Sequence, residues 1–127
     1  MTELLRLKQA NEFIKVVASC GRRFFHYKGF VSSFKLSSSG NVYFTDCYTK
    51  CAINTHASAC SDEWDGFTSG GTLQRFVEDL RDYIKNGQLL RLWYFCQDWG
   101  DGFRNPWGYG EELEIVHKAA SNLGIAE

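Results

Sequence analysis

Around residue 21 the spacing of apolar residues changes from a helical period to an alternating one, which limits this chain to folds that mix helices with a sheet. Before the switch, Ala10, Phe13, Ile14, Val17 and Cys20 recur at helical spacing over residues 3–20, and Gly21 is placed to close that helix in a left-handed cap. After it, Arg23–Lys28 and Phe30–Leu36 are rich in aromatic and β-branched residues, with Phe34 and Leu36 on one face. The turn-forming run SSSGN at 37–41 leads into Val42–Cys47 and Cys51–His56, so the pattern predicts four short antiparallel strands in a meander. The helical period then returns. In GGTLQRFVEDLRDYIKNG, Leu73, Phe76, Val77, Leu80, Tyr83 and Ile84 form an apolar stripe, Thr72 is expected to cap the start, and Lys85, Asn86 and Gly87 mark the end. Arg75–Asp79 and Glu78–Arg81 stand at pairing distance on its outer face. A strand is expected at Leu89–Phe95, and a third helix over 111–123 presents Leu113, Val116, Ala120 and Leu123.

The expected class is therefore α+β: one antiparallel sheet of about four strands with three helices, in the order α-β-β-β-β-α-(β)-α. A length of 127 residues fits one compact domain over 1–127. No apolar run approaches the roughly 20 residues that span a bilayer, and MTELLRLKQANE lacks the continuous apolar core of a secretion signal. A cytoplasmic location, with no membrane partner, is the expectation. Five cysteines, at 20, 47, 51, 60 and 96, are then expected as reduced thiols. Charge is uneven: residues 1–60 hold eight Lys/Arg against three Asp/Glu, while 61–127 hold six against twelve. Such a dipole can steer a charged partner, unless folding intermixes the two halves.

CYTKCAINTHASAC, residues 47–60, brings three cysteines and His56 close in sequence and raises the question of zinc. Its spacing, C-x3-C-x4-H-x3-C, misses two of the three gaps of a zinc knuckle, C-x2-C-x4-H-x4-C. If Tyr48–Lys50 is a three-residue turn, Cys47 and Cys51 face each other at the neck of a hairpin, with Tyr43, Thr45, Ile53 and Thr55 on the same face. His56 then falls on the opposite face, roughly 16 Å along the strand from Cys51. Hairpin and zinc site exclude each other, and the alternation favours the hairpin. No metal and no cofactor is assigned.

Three stretches could carry recognition. In WYFCQDWGDGFRNPWGYG, residues 93–110, Trp99, Arg104, Trp107 and Tyr109 are of the types that dominate binding hot spots, although tryptophans also serve as lids over small cores. In WDGFTSGGTLQRF, Trp64 offers a second contact. There Gly70, Gly71 and Thr72, with Arg75 in the first turn, form a helix start able to hold an anion, without the lysine of a P-loop. In GRRFFHYKGF, Arg22, Arg23 and Lys28 interleave with aromatics, as in single-stranded nucleic-acid binders, although alternate aromatics of a strand must point inward. His26, His56 and His117 stand apart, and no nucleophile elbow or histidine–glutamate metal motif occurs, so no catalytic residue is assigned and an enzyme is not expected.

The run GRRFF…VYFTDCYT…INTH…WDGFTSGGTLQRFVEDLRDYIKNG…WGYG resembles a group of small proteins from bacteriophages and prophages, over about Phe13 to Leu123. The shared outline falls on Gly21–Phe25, His56, Trp64, Gly66, Gly70–Thr72, Arg81–Ile84, Gly87 and Trp107–Tyr109, and leaves out the cysteines. The resemblance implies a phage-type accessory protein in the host cytoplasm. The leading expectation is that it binds a host or phage protein complex, a host defence complex being one such target. A nucleic-acid binder and an anion-binding protein or enzyme at the Gly-Gly-Thr turn are the alternatives.

Overall fold

The computed structural model describes residues 2–20, 23–57, 64, 71–95 and 111–127. Helix α1 spans Glu3–Ala18, and Thr2 caps it, its hydroxyl accepting the Leu5 N–H at 3.1 Å. The helix closes earlier than the apolar period suggests: Ser19 and Cys20 donate back three residues, to Val16 O and Val17 O, and tighten the last turn. Gly21 lies outside the described residues. The stripe is buried as expected, from Ala10 at 0% exposure to Cys20 at 8%.

The expected four-stranded meander is two sheets. Strands β1 (His26–Tyr27) and β2 (Phe30–Val31) form a ribbon, while β3 (Ser33–Leu36), β4 (Val42–Thr45) and β5 (Ala52–Asn54) form a three-stranded antiparallel sheet. The segment 30–36 is extended throughout but changes partner at Ser32, which is buried. Its N–H reaches Phe25 O at 2.9 Å, closing the ribbon, and its hydroxyl accepts the Cys47 N–H at 2.9 Å. A buried hydroxyl satisfying a neighbouring backbone group replaces one rung of pairing, and the ladder divides there.

The hairpin register also differs from expectation. Asp46 N–H donates to Cys51 O at 3.1 Å and Lys50 N–H to Asp46 O at 2.8 Å, so the loop holds four residues, Cys47–Lys50, rather than three. The Asp46 carboxylate shapes it by accepting both the Thr49 N–H and its hydroxyl, each at 3.0 Å. A one-residue slip exchanges faces. Phe44 pairs with Ile53 on the core side, and Tyr43 and Thr45 face outward with Asn54 and Ala52. Cys47 is buried, its thiol donating to Phe24 O, whereas Cys51 is exposed, so the two do not face each other.

Helix α2 spans Gly71–Asn86 and ends as expected, with Gly87 at φ +74° donating to Tyr83 O at 2.8 Å. Thr72 is the second residue of the helix rather than its cap. Arg6 closes the other loose carbonyls, from Nε to Ile84 O at 2.8 Å and from Nη2 to Lys85 O at 3.1 Å. The strand expected at Leu89–Phe95 is a single 3-10 turn, Leu92–Phe95. Its Tyr94 ring is buried and its hydroxyl donates to Asp79 on α2, which a strand in this position could not deliver. Burial, with that hydrogen bond, pushes the Tyr94 hydroxyl far above the usual tyrosine range, so it stays a donor. Asp79 also takes Arg91 at 3.1 Å, in place of the pairing expected with Arg75.

Helix α3 spans Glu111–Asn122, burying Leu113, Val116 and Ala120. Its exit turns back through Gly124 at φ +77°, and Ile125 accepts the Leu90 N–H at 2.8 Å. Helix α1 packs against α2, α3 and β3, and α2 against β4, so the helices cover the inner face of the three-stranded sheet. Among the described residues no helix is long and apolar enough to cross a membrane.

Candidate functional site

Between Arg23 and Ala57 there is one carboxylate, Asp46, against Arg23, Lys28, Lys35 and Lys50. Asp46 is 3% exposed and turned into its own loop, so this β region presents positive charge without a compensating surface carboxylate. The charge is concentrated where two hairpin tips meet. The β1–β2 ribbon turns through Lys28–Gly29, and the β4–β5 hairpin through Cys47–Lys50. The buried Ser32–Cys47 hydrogen bond holds the two tips side by side.

At the surface this contact brings Tyr27 and Tyr48 together, with ring centroids 4.7 Å apart and planes inclined by 60°. Tyr48 remains 65% exposed and Tyr27 37%, so the pair offers ring faces to solvent rather than filling a core. Lys28 Nζ lies 5.4 Å from the Tyr27 centroid and Lys50 Nζ 5.6 Å from that of Phe30. These cations lean on aromatic rings at separations that still leave each ammonium in water. At the base of the ribbon lies a shallow depression of about 230 Å³, lined by Lys15 at the end of α1, by Ser19 and Arg23 after it, and by His26 and Val31 of the ribbon.

Among the described residues, the non-glycine positions with positive φ are Arg23 (54°), Lys28 (47°) and Lys50 (60°), all basic, with Lys28 and Lys50 at the two tips and Arg23 ahead of the ribbon. Lys28 and Gly29 are the central pair of a two-residue hairpin loop with φ of 47° and 82°, the arrangement that favours Asn-Gly. A lysine in the left-handed region costs about 1 kcal/mol. Local backbone preference has not chosen these residues, and strained positions of this kind concentrate at functional surfaces. Lys28→Asn is accordingly expected to raise stability by a few tenths to about 1 kcal/mol, read as the shift of a urea unfolding midpoint.

Of the residues singled out by sequence, Lys28 belongs to this face, Arg23 lines the depression, and Arg22 lies outside the described residues. Trp64, expected as a surface contact, is instead 1% exposed within the core, its indole N–H 3.5 Å from Ala57 O. A flat apolar ring of that size packs in the core more favourably than it sits in water. Gly71 and Thr72 open α2, and Arg75 is exposed on its first turns. Gly70 and the loop contacts Trp99, Arg104, Trp107 and Tyr109 lie outside the described residues. Tyr48, Lys50, Lys15 and His26 were not singled out as contacts. Tyrosine and lysine at both hairpin tips, where no core needs an aromatic ring, are the signal that identifies the first two.

His56, at the far end of β5, holds the Val42 N–H with Nε2 at 3.0 Å. Cys47, Cys51 and His56 are thus engaged separately, and among the described residues no three His, Cys, Asp or Glu side chains are placed to share a metal ion. Partial burial, with the nearby charges of Arg81 and Lys85, lowers the His56 pKa below its usual range. Because the neutral ring is the hydrogen-bond acceptor, its contribution to stability is complete above the unfolded value near 6.5 and is lost as pH falls through the lower folded value. The urea midpoint is therefore expected to drop on acidification across that window, and His56→Gln, which keeps an acceptor, is expected to flatten the drop. His117 stacks on Phe95 with centroids 4.6 Å apart and lies 3.2 Å from Glu127 O, a structural engagement at the C-terminus.

No curated protein and no solved structure matches the chain. A family model does: the YoqU model matches residues 1–127, and the chain therefore belongs to the YoqU family.

Proposed function

We propose that this protein is a small phage-type accessory protein that acts by binding a macromolecule of host or phage, and that the β-side face of Tyr27, Lys28, Tyr48 and Lys50 carries the contact. The observation that supports this reading most directly is the pairing of two solvent-facing tyrosines with two lysines held at unfavourable backbone angles, in a region, 23–57, whose one carboxylate, Asp46, is buried. Tyrosine rings supply contact area at low entropic cost, and unpaired surface cations attract an anionic partner. Membership of the YoqU family accords with the phage-type reading. Occupying a component of a host defence complex is one service such a binder can perform.

A pull-down of tagged protein from bacterial lysate, beside the same chain carrying Tyr48→Ala and Lys50→Gly, tests the face. The expected result is a stoichiometric partner recovered by wild type and lost with the double variant. Recovery that the double variant leaves unchanged would assign binding elsewhere, and substitutions over 99–109 would then be the ones to make.

A further inference from the structure

On the reading that this face is the binding surface, we infer that its partner is a single-stranded nucleic acid. The two tyrosine rings take bases, Lys28 and Lys50 take the flanking phosphates, and the depression beside Arg23 and His26 takes a neighbouring phosphate. Three observations carry this. The first is scale. A stable protein–protein interface engages roughly 20–30 residues a side with an apolar centre. Here the exposed aromatic centre is two rings at two loop tips, with lysines rather than aliphatic side chains around them. A strand of a few nucleotides matches that footprint.

The second is the alternation of chemistry. Stacking needs ring faces open to solvent, and Tyr48 and Tyr27 are open at 65% and 37%. Backbone contacts need cations a few ångströms to either side of the rings, where Lys28 and Lys50 stand on opposite tips. Base–aromatic stacking tolerates any base, so the expected preference is for strandedness over sequence.

The third is the depression itself. Lys15, Ser19, Arg23 and His26 line it, and among the described residues the titratable side chains of its lining are Lys15, Arg23 and His26. Lys15 is held 3.3 Å from Glu12 at an exposed site, a pair weak enough for a phosphate to displace. His26 and Val31, which line it, are the pair at the base of the ribbon, one residue along each strand from the Tyr27–Phe30 pair at the tip. Duplex recognition fits poorly, because a ribbon of two-residue strands is too short to fill a major groove as a recognition helix or a long ribbon does.

The test is fluorescence anisotropy with dye-labelled oligothymidylate and oligouridylate of about 12 nucleotides, within the site sizes of single-strand binders, beside a duplex of equal length. The expected result is binding of at least one single strand in preference to the duplex. Its log–log salt slope between roughly 50 and 200 mM should be about −2 to −3, as for three or four neutralised phosphates. The tighter of the two strands distinguishes RNA from DNA. Tyr48→Ala is expected to weaken binding roughly five- to hundredfold. Lys28→Asn should weaken it and reduce the slope by about 0.7 while the fold becomes more stable, so the loss cannot be ascribed to unfolding.

Failure of both single strands to bind at about 50 mM salt, tighter binding of the duplex, or a Lys28→Asn variant that binds as wild type does would overturn the proposal. If neither oligonucleotide binds while Tyr48→Ala, Lys50→Gly still abolishes capture from lysate, the single-strand assignment falls and the binding face stands. If capture is unchanged as well, both fall.

Discussion

Phe76→Ala is expected to remove about 3–5 kcal/mol of folding free energy, a large part of the roughly 5–15 kcal/mol that a domain possesses. Phe76 is the ring on which the separate parts of the core converge. Its centroid lies 6.0 Å from Phe13 on α1, 5.9 Å from Phe25 before the ribbon and 5.3 Å from Tyr94 on the 3-10 turn. It is fully buried, and its neighbours belong to elements remote in sequence, so they cannot close over the space without moving whole helices. Phe76→Leu keeps most of the volume and is expected to cost about 1–1.5 kcal/mol. Urea unfolding of the two variants separates these values. A loss below about 1 kcal/mol for alanine would mean that the core collapses around the site and that the convergence carries little.

The second large effect is expected at Asn11, where truncation to alanine costs about 2 kcal/mol by leaving two peptide groups without partners. Strand β3 is an edge of the three-stranded sheet, with β4 on one side only. On its free side the Asn11 amide takes the place of a strand: Oδ1 accepts the Phe34 N–H at 2.6 Å and Nδ2 donates to Phe34 O at 3.0 Å. An open edge is a template for pairing with another chain, and α1 closes this one with a single side chain. Asn11→Asp tests the mechanism. It keeps the acceptor but sets a carboxylate oxygen against the Phe34 carbonyl, so it should be no better than alanine at neutral pH and partly recover in acid. Equal stability of Asn11→Asp and wild type at pH 7, measured by thermal melting, would contradict it.

Phe76 shows where sequence reading succeeds, and the strands show where it stops. The α2 stripe was legible, Phe76 included, because a helical period is a local property and Gly87 marks its end. The α1 stripe was legible for the same reason. The division of 30–36 between two sheets was not, because it depends on Ser32 meeting Cys47, fifteen positions away. The four-residue loop depends on one carboxylate, that of Asp46, bending back on Thr49, and that single residue of length exchanged the faces of β5. The 3-10 turn at 92–95 exists because Tyr94 finds Asp79 on another helix. The candidate site divides along the same line. Arg23 and Lys28 stood out beside their aromatics in one short run, whereas Tyr48 and Lys50 became members only once tertiary contact set one tip against the other. Trp64 was misplaced because a tryptophan in a glycine-rich context reads alike as anchor or as core.

The clasp between Arg6 and the carbonyls of Ile84 and Lys85 joins residues 78 and 79 positions apart, and Tyr83 meets Gln9 across a similar span. On a ribosome, α1 emerges before α2, so until α2 has been made its apolar stripe has only the β region to pack against, while the hairpins between them pair locally and early. A fragment ending at Ala57 is expected to show little helix by circular dichroism, and helix content should rise steeply once the chain extends past Gly87.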